Sequence, residues 1–298
     1  MRTIGVRAVD MNAMETAPMT VEAAEHPYPE DAIDAVKGLM LRLAAGERFE
    51  RLGAIVQEHL QTTARTFRAQ LALDALVALG VPAEHGIAWA AACELLHNAS
   101  LIHDDVQDHD ELRRGRFSVW VRHGEGQAIN AGDLLLMLPY LAVEHLDVPA
   151  GLKWELARAV ARRAEETVRG QSLEMNLWAS CRWDWASYDD AARGKTSVLM
   201  TLPVHGAALL AGRTPAQAER LGDCFHDLGL LLQLQDDVAD LFGDNGHEKP
   251  GADVREGRVS ALVVAHLTAH PDDIKWLCPI LGKGREQTSD ADVARVEA

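Results

Sequence analysis

The chain has 298 residues, 48% of them hydrophobic and 25% charged, which is enough for a real core in one large or two small domains and too apolar for disorder. Aromatic residues make up only 5% while Ala and Leu are abundant, so packed helices are favoured and an all-β enzyme is excluded. With 29 Lys and Arg against 45 Asp and Glu the net charge is −16, and no basic stretch offsets it, so neither nucleic acid nor an anionic membrane is expected as a partner.

Residues 1–28 show no sustained periodicity and read as a flexible tail without a signal or transit pattern; residues 29–298 read as one catalytic domain. From Ala32 apolar residues recur three and four apart, at Ile33, Val36, Leu39, Met40 and Leu43, then at Leu52, Ile55, Val56, His59 and Leu60, the pattern of helix on helix. Gly80-Val81-Pro82, Asp147-Val148-Pro149, Gly212-Arg213-Thr214-Pro215 and His270-Pro271 each pair a helix stop with a proline near the next start. A continuous helix from Pro215 to about Leu241 would be roughly 40 Å long at about 1.5 Å per residue. The last segment, from Thr288, opens like a capped helix and stops mid-pattern, which reads as a truncated C-terminus. The longest uncharged stretch, Thr196 to Gly212, is interrupted by Pro203 and His205, so no membrane span is expected. Cys93, Cys181, Cys224 and Cys278 form no CxxC pair and suit reduced thiols in a cytoplasmic protein.

The chemistry concentrates in two acidic pentads that each end an apolar helical stretch. In Asp104-Asp105-Val106-Gln107-Asp108 the first and last aspartates stand four apart, so on a helix their carboxylates converge while Asp105 points aside. The pattern returns in Asp236-Asp237-Val238-Ala239-Asp240. One such cluster reads as a solvated helix end; two call for a hard cation, and Mg²⁺ takes carboxylates together with substrate phosphates. Candidate cations for the phosphates stand nearby: Arg113 and Arg114 after the first pentad, Lys195 beside Thr196, Lys249 after the second, and Arg65 with Arg68 three apart.

At these residues the chain resembles the trans-isoprenyl diphosphate synthases of the polyprenyl synthetase family, closest in pattern to geranylgeranyl diphosphate synthases. The likeness runs from about Arg65 to Leu267: the stretch from Glu94 through His97 and Asp104-Asp105 to Gly115, then Gly132-Asp133, Gly170-Gln171 with Glu174, Gly194-Lys195-Thr196 and Gln233 to Asp240, in family order. It implies the isoprenoid synthase fold, an all-α single-domain bundle around a deep central cavity, and a homodimer. It implies condensation of isopentenyl diphosphate with an allylic diphosphate by Mg²⁺-assisted ionisation, with three ions per site when substrate is bound. Asp104, Asp108 and Asp236 would ligate the metal, Asp240 would join them through water, and Asp105 and Asp237 would support them. Arg113, Lys195, Thr196, Gln233 and Lys249 would hold the allylic diphosphate, and Arg65, Arg68, His97 and Arg114 that of the isopentenyl partner.

The resemblance also frames product length, because the tail would descend along the helix of the first pentad. One turn before Asp104 stand Ala99 and Ser100, both small, where family enzymes that stop at fifteen carbons often place an aromatic. The expected product is therefore geranylgeranyl diphosphate or longer, with Leu96 or a residue near Met137 as the next floor. Two departures stand out. Thr63-Ala64-Arg65-Thr66-Phe67-Arg68-Ala69 replaces the usual Gly-Gly-Lys-Arg-x-Arg-Pro, and Arg258 replaces a common Lys. The altered Arg65 region leaves a class I terpene cyclase as the alternative, with a non-catalytic partner subunit behind it.

Overall fold

A computed structural model describes residues 31–46, 50–62, 66–243 and 251–298, so the segment expected to be a flexible tail lies outside the described residues. The chain runs through α1 (Asp31–Ala45), α2 (Glu50–Gln61), α3 (Phe67–Ala78) and α4 (Ile87–Gln107), then a hairpin of β1 (Leu112–Arg113) and β2 (Arg116–Phe117). It continues with α5 (Val119–His123), α6 (Glu125–Glu144), α7 (Ala150–Asn176), α8 (Trp185–Ala192), α9 (Val198–Leu210), α10 (Pro215–Asp223) and α11 (His226–Phe242). The last part is α12 (Ala252–Glu256), α13 (Ala261–Ala269), α14 (Ile274–Leu281) and α15 (Asp290–Glu297). The fold is all-α, as the sequence implies; the two-residue strands only close the turn after the first pentad.

Helix α4 is the axis of the larger core. It is buried all round from Ala88 to Ala99, the polar Glu94, His97 and Asn98 included, and it packs against α1, α3, α6 and α9. The Trp89 indole donates to the Pro203 carbonyl at 3.0 Å and ties α4 to α9. A second, smaller core joins α8 and the end of α11 to α12, α13, α14 and α15 through Tyr188, Leu241, Val264, Leu277 and Val293. The two pentads end helices on either side of the space between these cores.

The expected long helix from Pro215 is in fact two. Thr214 and Gln217 form a reciprocal capping box with Pro215 in the first turn, but α10 ends at Asp223, where the Phe225 amide turns back to the Gly222 carbonyl at 2.8 Å. The break lets α10 lie against α9 while α11 turns toward the segment that precedes α9. Ser289 caps α15 in the same reciprocal way with Asp292, as its sequence predicts. All four cysteines are unpaired, and among the described residues no helix is long and apolar enough to cross a membrane.

Candidate active site

The two pentads face one another across a cavity of about 380 Å³ whose walls carry Asp104, Asp108, Asp236, Asp237 and Asp240 together with Arg68, Arg113, Arg114, Lys195 and Arg258. Asp105, next to Asp104, is absent from the wall. It is 1% exposed and bonded to the Arg113 guanidinium, and burial pushes its carboxyl up to about 7 against the pull of that cation. Arg113 also reaches Asp110 at 3.8 Å, so it enters the cavity already anchored. Arg114 and Gly115 both adopt left-handed backbone, φ 55° and 75°, the turn that a two-residue hairpin loop requires.

Asp108 pairs with Arg258, 150 residues later, and Arg258 also donates to Glu174 at 2.7 Å. The same Glu174 oxygen accepts from Lys195 at 2.6 Å. Burial pushes the Glu174 carboxyl up, while Lys195, despite its own burial, is held above the usual lysine range by Glu174 and Asp104. Lys195 and Thr196 lie in a five-residue π-helical segment, Arg193–Ser197, the interruption between α8 and α9. That segment touches α7 where Gly170 meets Gly194; a Cβ on Gly170 would stand 2.2 Å from the Gly194 carbonyl carbon.

On the opposite wall, Asp237 accepts from the Tyr188 hydroxyl at 2.8 Å, from Gln233 at 2.9 Å and from the Ala261 amide at 2.7 Å. The Gln233 carbonyl in turn accepts from the Thr196 hydroxyl at 2.8 Å. Asp240 accepts the backbone amides of Ala252 and Asp253 at 3.1 and 3.0 Å. Burial pushes the carboxyls of Asp236 and Asp253 up, with Asp237 adding to the first and Asp240 to the second.

Arg68 and Arg114 complete a cationic corner with His97. Burial pushes Arg68 down to about 10, and burial together with Arg68 and Arg114 holds the His97 imidazole well below its ordinary range, hence neutral. Arg65 and Lys249, both expected here, lie outside the described residues.

A second cavity of about 480 Å³ opens from the first, sharing Ser100, Asp104, Thr167, Gln171 and Leu199 with it, and runs between α4, α6 and α7 to Leu96, Leu136 and Ala164. Ser100 and Leu96 line it as the sequence suggests. Ala99 does not: it is fully buried in the larger core, because on a helix it is rotated roughly 140° from Asp104 while Ser100 and Leu96 lie four and eight residues before it on one face. Met137 is 55% exposed and lines neither cavity; its neighbour Leu136 does. Sequence reasoning missed Asp253, Glu256 and Tyr188 and gave Arg258 no place in the site. The spacing Lys249-Pro250-Gly251-Ala252-Asp253 after the second pentad was a usable signal for Asp253; nothing local marks Tyr188.

Residues 49–297 match the family model described as polyprenyl synthetase. The chain is 37% identical over 199 residues to a short chain isoprenyl diphosphate synthase of Methanocaldococcus jannaschii, covering 65% of this chain and 59% of that one. It is 35% identical over 234 residues to a short chain isoprenyl diphosphate synthase of Methanothermobacter thermautotrophicus, covering 77% and 72%. Among solved structures it is similar to a polyprenyl synthase from Caulobacter crescentus CB15 complexed with calcium and isoprenyl diphosphate, with TM-score 0.80, 25% identity and coverage of 90% and 80%. The match thus spans less than two thirds of the first relative's length.

Proposed function

The chain belongs to the polyprenyl synthetase family, and on that premise we propose that it condenses isopentenyl diphosphate with an allylic diphosphate to a linear trans-prenyl diphosphate of geranylgeranyl length. The observation that carries this reading is the pair of joined cavities, one walled by acidic pentads and a cationic corner, the other continuing from it past polar side chains to the apolar Leu96, Leu136, Ala164 and Leu199. Both archaeal relatives are named short chain synthases, which supports the shorter end of the expected range.

The donor set fits Mg²⁺. It is made of oxygen only, with carboxylates from both pentads gathered on one cavity. Among the described residues no three such side chains stand close enough to hold an ion by themselves. That suits an ion that takes one or two carboxylates and completes its shell with phosphate and water. Asp104 and Asp108 from one pentad and Asp236 from the other would hold such ions between them, with Asp240 behind. Bound there, they would supply positive charge to the leaving diphosphate.

The chain's own residues do the rest. Arg113 and Lys195 bind the allylic diphosphate, with Thr196 and Gln233 alongside, and Arg68, Arg114 and neutral His97 bind the isopentenyl diphosphate. The allylic carbon–oxygen bond breaks with its electron pair leaving on the diphosphate. The isopentenyl double bond then forms the new carbon–carbon bond, and a proton is lost to the departed diphosphate. The tail cavity keeps water from the cation. A partner copy would cover the exposed Ile129, Met137 and Leu141, spaced at multiples of four along α6, making a homodimer. The unpaired thiols support a cytoplasmic setting.

The test is incubation with Mg²⁺, isopentenyl diphosphate and allylic primers of five, ten and fifteen carbons, read by mass spectrometry. A linear diphosphate of twenty carbons is expected. Consumption of the allylic substrate alone, giving hydrocarbon or alcohol, would overturn the reading in favour of a cyclase.

A further inference from the structure

The cationic corner stands on a start of α3 that lacks local support. Thr66 occupies the N-cap position of α3 without a side-chain cap hydrogen bond. The glycines and proline that accompany such a loop in the resembled pattern are missing from Thr63 to Ala69. The first-turn amides of a helix need acceptors. One is supplied from another helix: Glu94 on α4, 25 residues away, accepts the Ala69 amide at 3.1 Å through one carboxylate oxygen.

Glu94 is 0% exposed, an expensive place for a carboxylate. Its other oxygen has no hydrogen-bond partner, and neither does the Arg68 Nε. Burial pushes the Glu94 carboxyl up and the neighbouring Arg68 guanidinium pulls it back, while Arg68 itself lines the cavity one residue before the amide that Glu94 holds.

We propose that Glu94 is a positioning residue for the isopentenyl site, using its buried carboxylate to pin the first turn of α3 so that Arg68 stays aimed at the substrate diphosphate. The proposal rests on the prenyltransferase reading above. It assigns Glu94 no contact with either substrate. Its effect is confined to the ligand that Arg68 holds; the allylic site, on Arg113 and Lys195, is anchored independently by Asp105 and Glu174.

The experiment is calorimetric titration of the full chain, with Mg²⁺, by isopentenyl diphosphate and separately by a non-ionisable allylic diphosphate analogue. Glu94→Leu is expected to weaken isopentenyl diphosphate at least tenfold and the allylic analogue less than twofold. Glu94→Gln, which keeps an oxygen to accept the Ala69 amide, recovers most of that loss. Should the Leu variant not fold, Glu94→Asp takes its place, since withdrawing the carboxylate by one methylene breaks the same bond with the charge retained. Equal weakening of both ligands, or unchanged isopentenyl binding, overturns the assignment while leaving the prenyltransferase reading intact. A wild-type chain that binds the allylic analogue but not isopentenyl diphosphate overturns both.

Discussion

The two pentads read almost alike, Asp104-Asp105-Val106-Gln107-Asp108 and Asp236-Asp237-Val238-Ala239-Asp240, yet the protein holds them by different physics. The middle aspartate of the first is fixed by the guanidinium of Arg113 and its last by that of Arg258. In the second, Asp237 accepts from neutral donors, a phenol, an amide side chain and a backbone N–H group, and Asp240 accepts from two further backbone N–H groups. A charge-held wall and a dipole-held wall thus face one cavity. Dipoles orient a carboxylate without cancelling its charge.

The largest effect should appear where the walls do the same work. Asp104→Asn and Asp236→Asn should each lower turnover by about 10³-fold or more, roughly 4 kcal/mol of transition-state stabilisation, in a steady-state assay. A loss confined to one of them would break the symmetry of the two walls.

The next effect separates the walls. Arg113→Leu strands the buried Asp105 charge and should cost about 3–5 kcal/mol of stability in denaturant unfolding. Acidity should also trouble the charge-held side. Burial, with Arg113 adding to it, depresses His59 to about 4, so its contribution is fully present above pH 6.5 and is lost as pH falls toward 4. That is about 3 kcal/mol across the window, and His59→Gln should flatten the melting temperature over it. The smallest effect belongs to the dipole-held wall. Tyr188→Phe removes one of three donors to Asp237 and should cost about 1–2 kcal/mol. A cost as large as that of Arg113→Leu would erase the distinction.

Features legible in the sequence were those written within a few residues of one another. The pentads, the cations after the first of them and the interruption at Lys195 and Thr196 are local patterns, and all of their acidic and basic residues except Asp105 line the cavity. The contact between Asp108 and Arg258 spans 150 residues and leaves no trace in either neighbourhood. The misplacement of Ala99 has another origin: counting residues back from Asp104 fixes distance along the helix, whereas one residue more turns the side chain about 100° out of the tail cavity. The break between α10 and α11 escaped because neither proline nor a left-handed glycine marks it; packing against α9 decides it.

The contact between Gly170 and Gly194 has a bearing on how such a molecule can be altered. Two backbones in contact act as a spacer of fixed thickness, and even an alanine at Gly170 would be a wedge driven between α7 and the π-helical turn. The backbones there cannot be moved apart or together by substitution at the contact itself. Variation that enlarges or shortens the space is left to the side chains that line it, Ala164, Thr167 and Gln171 on α7 and Ser100, Leu96 and Leu136 on the facing helices, which can change size without moving a backbone.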